Sequence, residues 1–157
     1  MQPITPFLWF DNNAEEAVNF YVSIFKNSKI LGAARYGEAG PGPQGSVMTM
    51  KFQLDGLEFV ALNGGPHFTF TPAVSFVVNC ETQSEVDHHW DNLLAGGKPN
   101  QCGWLTDKYG LSWQIVPSIL PKLLQDKDRQ RANRVLEAMM KMIKLDIAEL
   151  NRAYHAD

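Results

Sequence analysis

Of its 157 residues only two are cysteines, Cys80 and Cys102, and they show no Cys-x-x-Cys spacing. That excludes a disulfide framework and a thiol-rich metal site. Both thiols are expected to pack as small buried hydrophobes. Four histidines are present, but no His-x-His or His-Glu-x-x-His set, so no ready zinc motif exists. No apolar run is long enough to span a bilayer. The start, Met1-Gln2-Pro3-Ile4-Thr5-Pro6, lacks the basic region and apolar stretch of a secretory segment. A reduced, cytoplasmic protein with no membrane partner is the expectation. Formal charge is only -3, so no strong field points at nucleic acid either.

What is present is an ordinary globular composition, 45% apolar, with a motif that occurs twice. Asp55-Gly56-Leu57-Glu58-Phe59-Val60 returns as Tyr109-Gly110-Leu111-Ser112-Trp113-Gln114, in register at Gly-Leu-x-aromatic. Each copy closes a similar run of elements. The first run opens with a strand over Ile4 to Phe10, whose prolines suit an edge. Asp11-Asn12-Asn13 then caps a helix with Ala14, Ala17, Phe20, Tyr21, Ile24 and Phe25 at helical spacing. Strands follow over 28–36, 46–54 and 57–62, with Asp55-Gly56 as a hairpin turn. Gly37 to Gly45 must be a loop.

The second run has a strand over 73–78, then a helix capped by Asn79 or Thr82, with Val86, Trp90, Leu93 and Leu94 on one side. Short strands are expected near 98–103 and 104–106, and a firm one over 111–116. The pattern predicts an α+β fold of two βαβββ modules, about 1–66 and 67–117, within one domain of residues 1–117. A helical tail over 118–157 follows, with Ala132, Val135, Leu136, Met139, Met140 and Ile143 as its stripe and Asp146 capping a last helix. Residues 1–117 hold 6 basic and 11 acidic residues, whereas 118–157 hold 8 basic and 6 acidic ones. The tail should pack on its own domain or on a second subunit.

The repeated module resembles the vicinal oxygen chelate superfamily of glyoxalase I, extradiol dioxygenases and bleomycin-resistance proteins. Thr5-Pro6-Phe7-Leu8-Trp9-Phe10 before Ala14-Glu15-Glu16-Ala17, and the run from Cys102 to Pro117, resemble its PhnB-like branch. That branch is often labelled 3-demethylubiquinone 3-methyltransferase. The resemblance implies paired, curved mixed sheets around a cleft, and a homodimer. It also implies where a metal would sit: on the first and last strands of each module. There the chain offers Val60 in one module and Gln114 in the other, with no histidine on either first strand. No metal centre and no cofactor are expected. The methyltransferase label finds no support in the segment Gly37-Glu38-Ala39-Gly40-Pro41-Gly42-Pro43. Its prolines remove donors that an anion-binding turn would use, and no long helix follows.

Alternation places Glu58 and Val60 on the strand face away from the first helix, and Ser112, Gln114 and Val116 on the corresponding face of the second module. Trp113 should be core. Trp104 either lines the cleft or packs inside. His67, in the linker, could give or take a proton near neutrality. Lys98 and Lys108 lie near each other in sequence, with nothing to fix their geometry. Three functional classes stay open: a small-molecule binding protein using His67, Gln114, Trp104, Val60 and Glu58; a metal-independent or weakly metal-dependent enzyme (lyase, isomerase or group transfer) using His67, Gln114 and a bound water; and an interaction protein whose helical tail is the working surface.

Overall fold

The computed structural model describes residues 2–156. The chain forms two compact units, Met1–Phe70 and Thr71–Asp157. Unit one contains β1 (Phe7–Phe10), α1 (Ala14–Ile24), β2 (Lys29–Arg35), β3 (Val47–Leu54) and β4 (Leu57–Asn63). Its sheet runs β1-β4-β3-β2, with β1 parallel to β4 and the other pairs antiparallel. Pairing begins at Phe7 rather than Ile4, after Pro3 and Pro6, and β1 lies at an edge, where missing donors are tolerated.

The turn between β3 and β4 works through backbone handedness. Asp55 has φ 47° and Gly56 φ 84°, and Leu54 faces Leu57 across the sheet. Two positive φ angles match the right-handed twist of the flanking strands. Beyond it, alternation sorts the faces. Phe52, Leu54, Phe59 and Ala61 are buried with Ala17, Val18, Tyr21 and Ile24 of α1. The Phe52 ring stacks on Phe59 with centroids 5.3 Å apart. Burying a side chain of that size stabilises by roughly 1.5–3 kcal/mol. Leu57 departs from the expected parity: it sits beside the turn and is exposed.

Helix α1 is capped from a distance. Asn13 stands at its N-cap without a side-chain bond. Instead the Ala14 N–H donates to Asn63 Oδ1 at 2.8 Å. The Asp11-Asn12-Asn13 cap expected from local sequence is therefore replaced by a residue at the end of β4.

Unit two contains β5 (Ser75–Cys80), α2 (Gln83–Leu94), β6 (Lys98–Pro99), β7 (Trp104–Thr106) and β8 (Ser112–Pro117). Its sheet order, β5-β8-β7-β6, repeats that of unit one. Each unit is thus a βαβββ module with its own mixed sheet. Thr82, not Asn79, caps α2, accepting from the Glu85 N–H at 3.1 Å. Val86, Trp90 and Leu93 are buried beneath it, with Leu105, Trp113 and Ile115 of the sheet.

Three tail helices, α3 (Ile119–Leu124), α4 (Arg129–Met140) and α5 (Ile147–His155), complete this unit. Leu120, Leu123, Val135, Leu145 and Leu150 form one buried cluster, and Val116 of β8 packs against it. Gln83 of α2 clasps the tail twice. Its Nε2 donates to Leu145 O at 3.1 Å, and its Oε1 accepts from the Ile147 N–H at 2.8 Å. Asp87 adds an ion pair to Lys144 at 2.8 Å, and that bond holds its carboxyl below the usual range. Asp146 caps α5 through the Glu149 N–H. The tail stripe is wider than its contacts bury: Leu136, Met140 and Ile143 remain exposed.

Candidate functional site

The sequence-selected residues fall into three places. Glu58 and Val60 share the face of β4 turned away from α1. Val60 lies between Phe7 and Lys51 in the register. Glu58 forms an ion pair with Lys51 at 3.7 Å. That carboxylate is therefore already neutralised by a neighbour on its own face.

Gln114 and Trp104 lie directly opposite each other on β8 and β7. The Gln114 amide Nε2–H donates to Ser75 Oγ on β5 at 2.9 Å. The Trp104 ring is half-buried, on the face away from α2, whereas Trp113 is 2% exposed in the core. Ser112 shares the Gln114 face by parity and is buried.

His67 lies elsewhere, in a hollow of ≈ 380 Å³ within unit one. Tyr36, Val47 and Asn63 form part of its wall, with Asp11 and Glu15 at the start of α1. The Tyr36 hydroxyl donates to Asn63 O at 2.5 Å. The Asn63 side chain also donates to Val47 O at 3.1 Å, so one residue joins α1, β3 and Tyr36. His67 meets the Trp9 indole edge-on at 6.4 Å, and Trp9 is fixed by its own N–H bond to Gly65 O. The hollow therefore borders the β1 edge of the face that carries Val60.

The glycine-rich loop between β2 and β3 is a hairpin connection that closes over Tyr36. A Cβ on Gly40 or on Gly42 would come within 2.3 Å of the ring. These glycines permit close packing on an aromatic face. They join two antiparallel strands, so they do not form the strand-to-helix turn that holds a nucleotide phosphate.

Sequence reasoning overlooked Asn63, Tyr36 and Ser75, the hydroxyl partner of Gln114. The signal for Asn63 was present only as the residue that ends β4 where Pro117 ends β8. Asp107 is another hub, at the start of the turn that leads into β8. Its Oδ1 accepts from the Tyr109 and Leu111 N–H groups at 2.8 and 3.0 Å, and its Oδ2 from Trp113 Nε1–H at 2.9 Å.

The metal positions implied by the fold can be tested against these contacts. Val60 has no donor atom, Glu58 is paired with Lys51, and Gln114, bonded through its Nε2 to Ser75, could offer only one neutral oxygen. Among the described residues, no three His, Cys, Asp or Glu side chains gather where they could hold an ion. The residues present do not fit the metal set of the metal-using proteins of this fold.

Cys80 is an inert thiol. Burial, reinforced by Glu85 and Glu81, pushes it up from 9.0 to about 11. The unfolded thiol ionises first as pH rises, so Cys80 subtracts stability between those two values and contributes no pH dependence below them. At pH 8, an aromatic disulfide reagent is expected to label the part-exposed Cys102 at least about tenfold faster than Cys80, because only thiolate attacks. Equal labelling of both in the folded protein would contradict this.

Two four-stranded βαβββ sheets, each backed by a helix, define a protein of the glyoxalase and bleomycin-resistance fold. The family described as 3-demethylubiquinone-9 3-methyltransferase matches over residues 2–116, and the chain belongs to that family, in its PhnB-like branch. A PhnB protein from Bacillus cereus is 43% identical, with TM-score 0.69, over 74% of this chain and 100% of that one. A Pseudomonas aeruginosa protein shares the fold at 19% identity and TM-score 0.62, over 74% and 98% of the two chains. The fosfomycin resistance protein FosX of Listeria monocytogenes does so at 15% identity and TM-score 0.57, over 80% and 98%. None of the curated proteins matches.

Proposed function

We propose that the chain binds a small molecule on the sheet face of unit two turned away from α2, with no metal taking part. The observation that carries this is the Gln114–Trp104 pair. An oriented polar group lies opposite a half-buried indole on an otherwise sheet-like surface. Small-molecule sites combine an apolar wall with a few placed polar groups in this way. Curvature of each sheet belongs to this reading, with Val60 and Glu58 on the face of unit one turned away from α1, Gln114 and Trp104 on that of unit two, and His67 in its own hollow in unit one. The family label names a methyl transfer. The hairpin geometry of the glycine-rich loop supports binding rather than that reaction by a nucleotide-type methyl donor.

A library of small aromatic fragments, benzamide among them, tests the reading. Binding is expected to shift the Gln114 side-chain amide and the Trp104 indole N–H in nitrogen–proton spectra. Silence of both resonances across the library would remove the site. A metal-independent enzyme is the second reading, favoured by His67 in a hollow with Tyr36 and Glu15. It requires His67→Ala to abolish turnover of a bound fragment while leaving its affinity intact. The reading also includes a homodimer, for which the exposed Leu136, Met140 and Ile143 supply apolar surface. Sedimentation at micromolar concentration should give twice the chain mass, and a single-chain mass would refute it.

A further inference from the structure

We infer that the group recognised by unit two is an oxyanion, a carboxylate or phosphate-type head, held by a row of hydroxyls and one ammonium across the sheet. This rests on the small-molecule reading above and narrows it. The register sets Ser75, Ser112, Thr106 and Lys98 side by side on β5, β8, β7 and β6. Residues directly opposed on neighbouring strands share a face. Four donors therefore stand in one line, on the face that carries Gln114.

The two outer hydroxyls are already set to donate. Ser75 Oγ accepts from Gln114 Nε2–H at 2.9 Å, and Thr106 Oγ1 accepts from Asn100 Nδ2–H at 3.1 Å. A hydroxyl that accepts an amide proton keeps its own for a second partner. Between them, Ser112 is 1% exposed and its Oγ has no hydrogen-bond partner among the described residues. Such an orphan costs about 1–3 kcal/mol, a penalty that an arriving acceptor removes. Ser75 and Thr106 are part-exposed, so the row is open on both sides of this enclosed centre.

Lys98 supplies the charge. It is exposed and has no ion-pair partner among the described residues. Strands lie about 4.8 Å apart, so β6 stands roughly 10 Å from Ser112, and an extended lysine stem covers more than half of that. Neither this row nor the adjoining one of Val77, Gln114 and Trp104 contains a carboxylate. Hydroxyl and ammonium donors with no carboxylate among them favour an acceptor-rich anion. Trp104 in the next row offers an apolar wall to the rest of the molecule.

Benzoate, phenylphosphonate and benzamide share a ring and differ in the head group. Titrations followed through the Gln114 amide and Trp104 indole resonances should show one or both acids binding at least tenfold more tightly than benzamide. Whichever acid binds better identifies the kind of oxyanion. Lys98→Gln and Ser112→Ala should each weaken the acids about five- to tenfold and leave benzamide unchanged. Ser112→Ala should melt no lower than the parent, since it deletes an unmet hydroxyl. Benzamide binding as tightly as both acids, or acid affinity unmoved in Lys98→Gln, would overturn the inference and leave the small-molecule reading intact. Failure of all three probes to shift either resonance would overturn both.

Discussion

Asp107→Ala should lower stability by about 4 kcal/mol, and the calorimetric midpoint by roughly 10 °C. The carboxylate is 3% exposed and holds three donors: two backbone N–H groups of its own turn and the Trp113 indole N–H. Alanine would leave all three without their acceptor, in a place where water scarcely reaches. Hydrogen bonds to a charged acceptor contribute about 1.5–3 kcal/mol each, and networks of this kind supply the large tail of mutational effects. Asp107→Asn separates the parts. Its carbonyl oxygen can still accept from Tyr109 and Leu111, but its amide would meet the Trp113 N–H donor to donor. About half the loss is expected for that variant. A loss under about 1 kcal/mol for alanine would show that the turn closes without its carboxylate.

Asn63→Ala is expected to cost about 2–3 kcal/mol. It removes the remote cap of α1, worth about 1 kcal/mol, and the bond to Val47 O. The Tyr36 hydroxyl would keep its acceptor, since that is a backbone carbonyl. Asn63→Asp keeps the cap acceptor and loses the donor, so it should fall between. Amide exchange gives the local signature: protection of the first turn of α1 should drop more than that of its last turn. Uniform loss along the helix would mean that Asn63 acts only through global stability. Because Asn63 also lines the hollow beside His67, the same substitution changes the site that the enzyme reading requires.

The two hubs differ in how readable they were. Asp107 begins a Asp-Lys-Tyr-Gly turn, and its partners lie within six residues, so its structural role follows from local turn chemistry. Asn63 reaches Ala14 across 49 residues, and no local pattern encodes that pairing. The same distinction holds on the unit-two sheet. Ser112 and Gln114 share a face by simple alternation. Lys98, by contrast, joins Ser75 only once β6, β7, β8 and β5 are laid edge to edge. The tail stripe shows the converse. Its spacing marked α4 but ran past it, since the helix ends at Met140 and Ile143 lies beyond, and spacing alone could not say that Val135 would be buried while Met140 would stay exposed.

The order of elements, the two modules, the faces of the central strands and the positive-φ hairpin at Asp55-Gly56 were determined by the chain's own periodicity and turn residues. These are preferences that act within a few residues. Which side chains stand abreast, which helix borrows its cap and where the tail buries its leucines were decided only by tertiary structure. Those features depend on strand register and on partners far apart in the chain, and they are specified by the packing of whole elements rather than by any single segment.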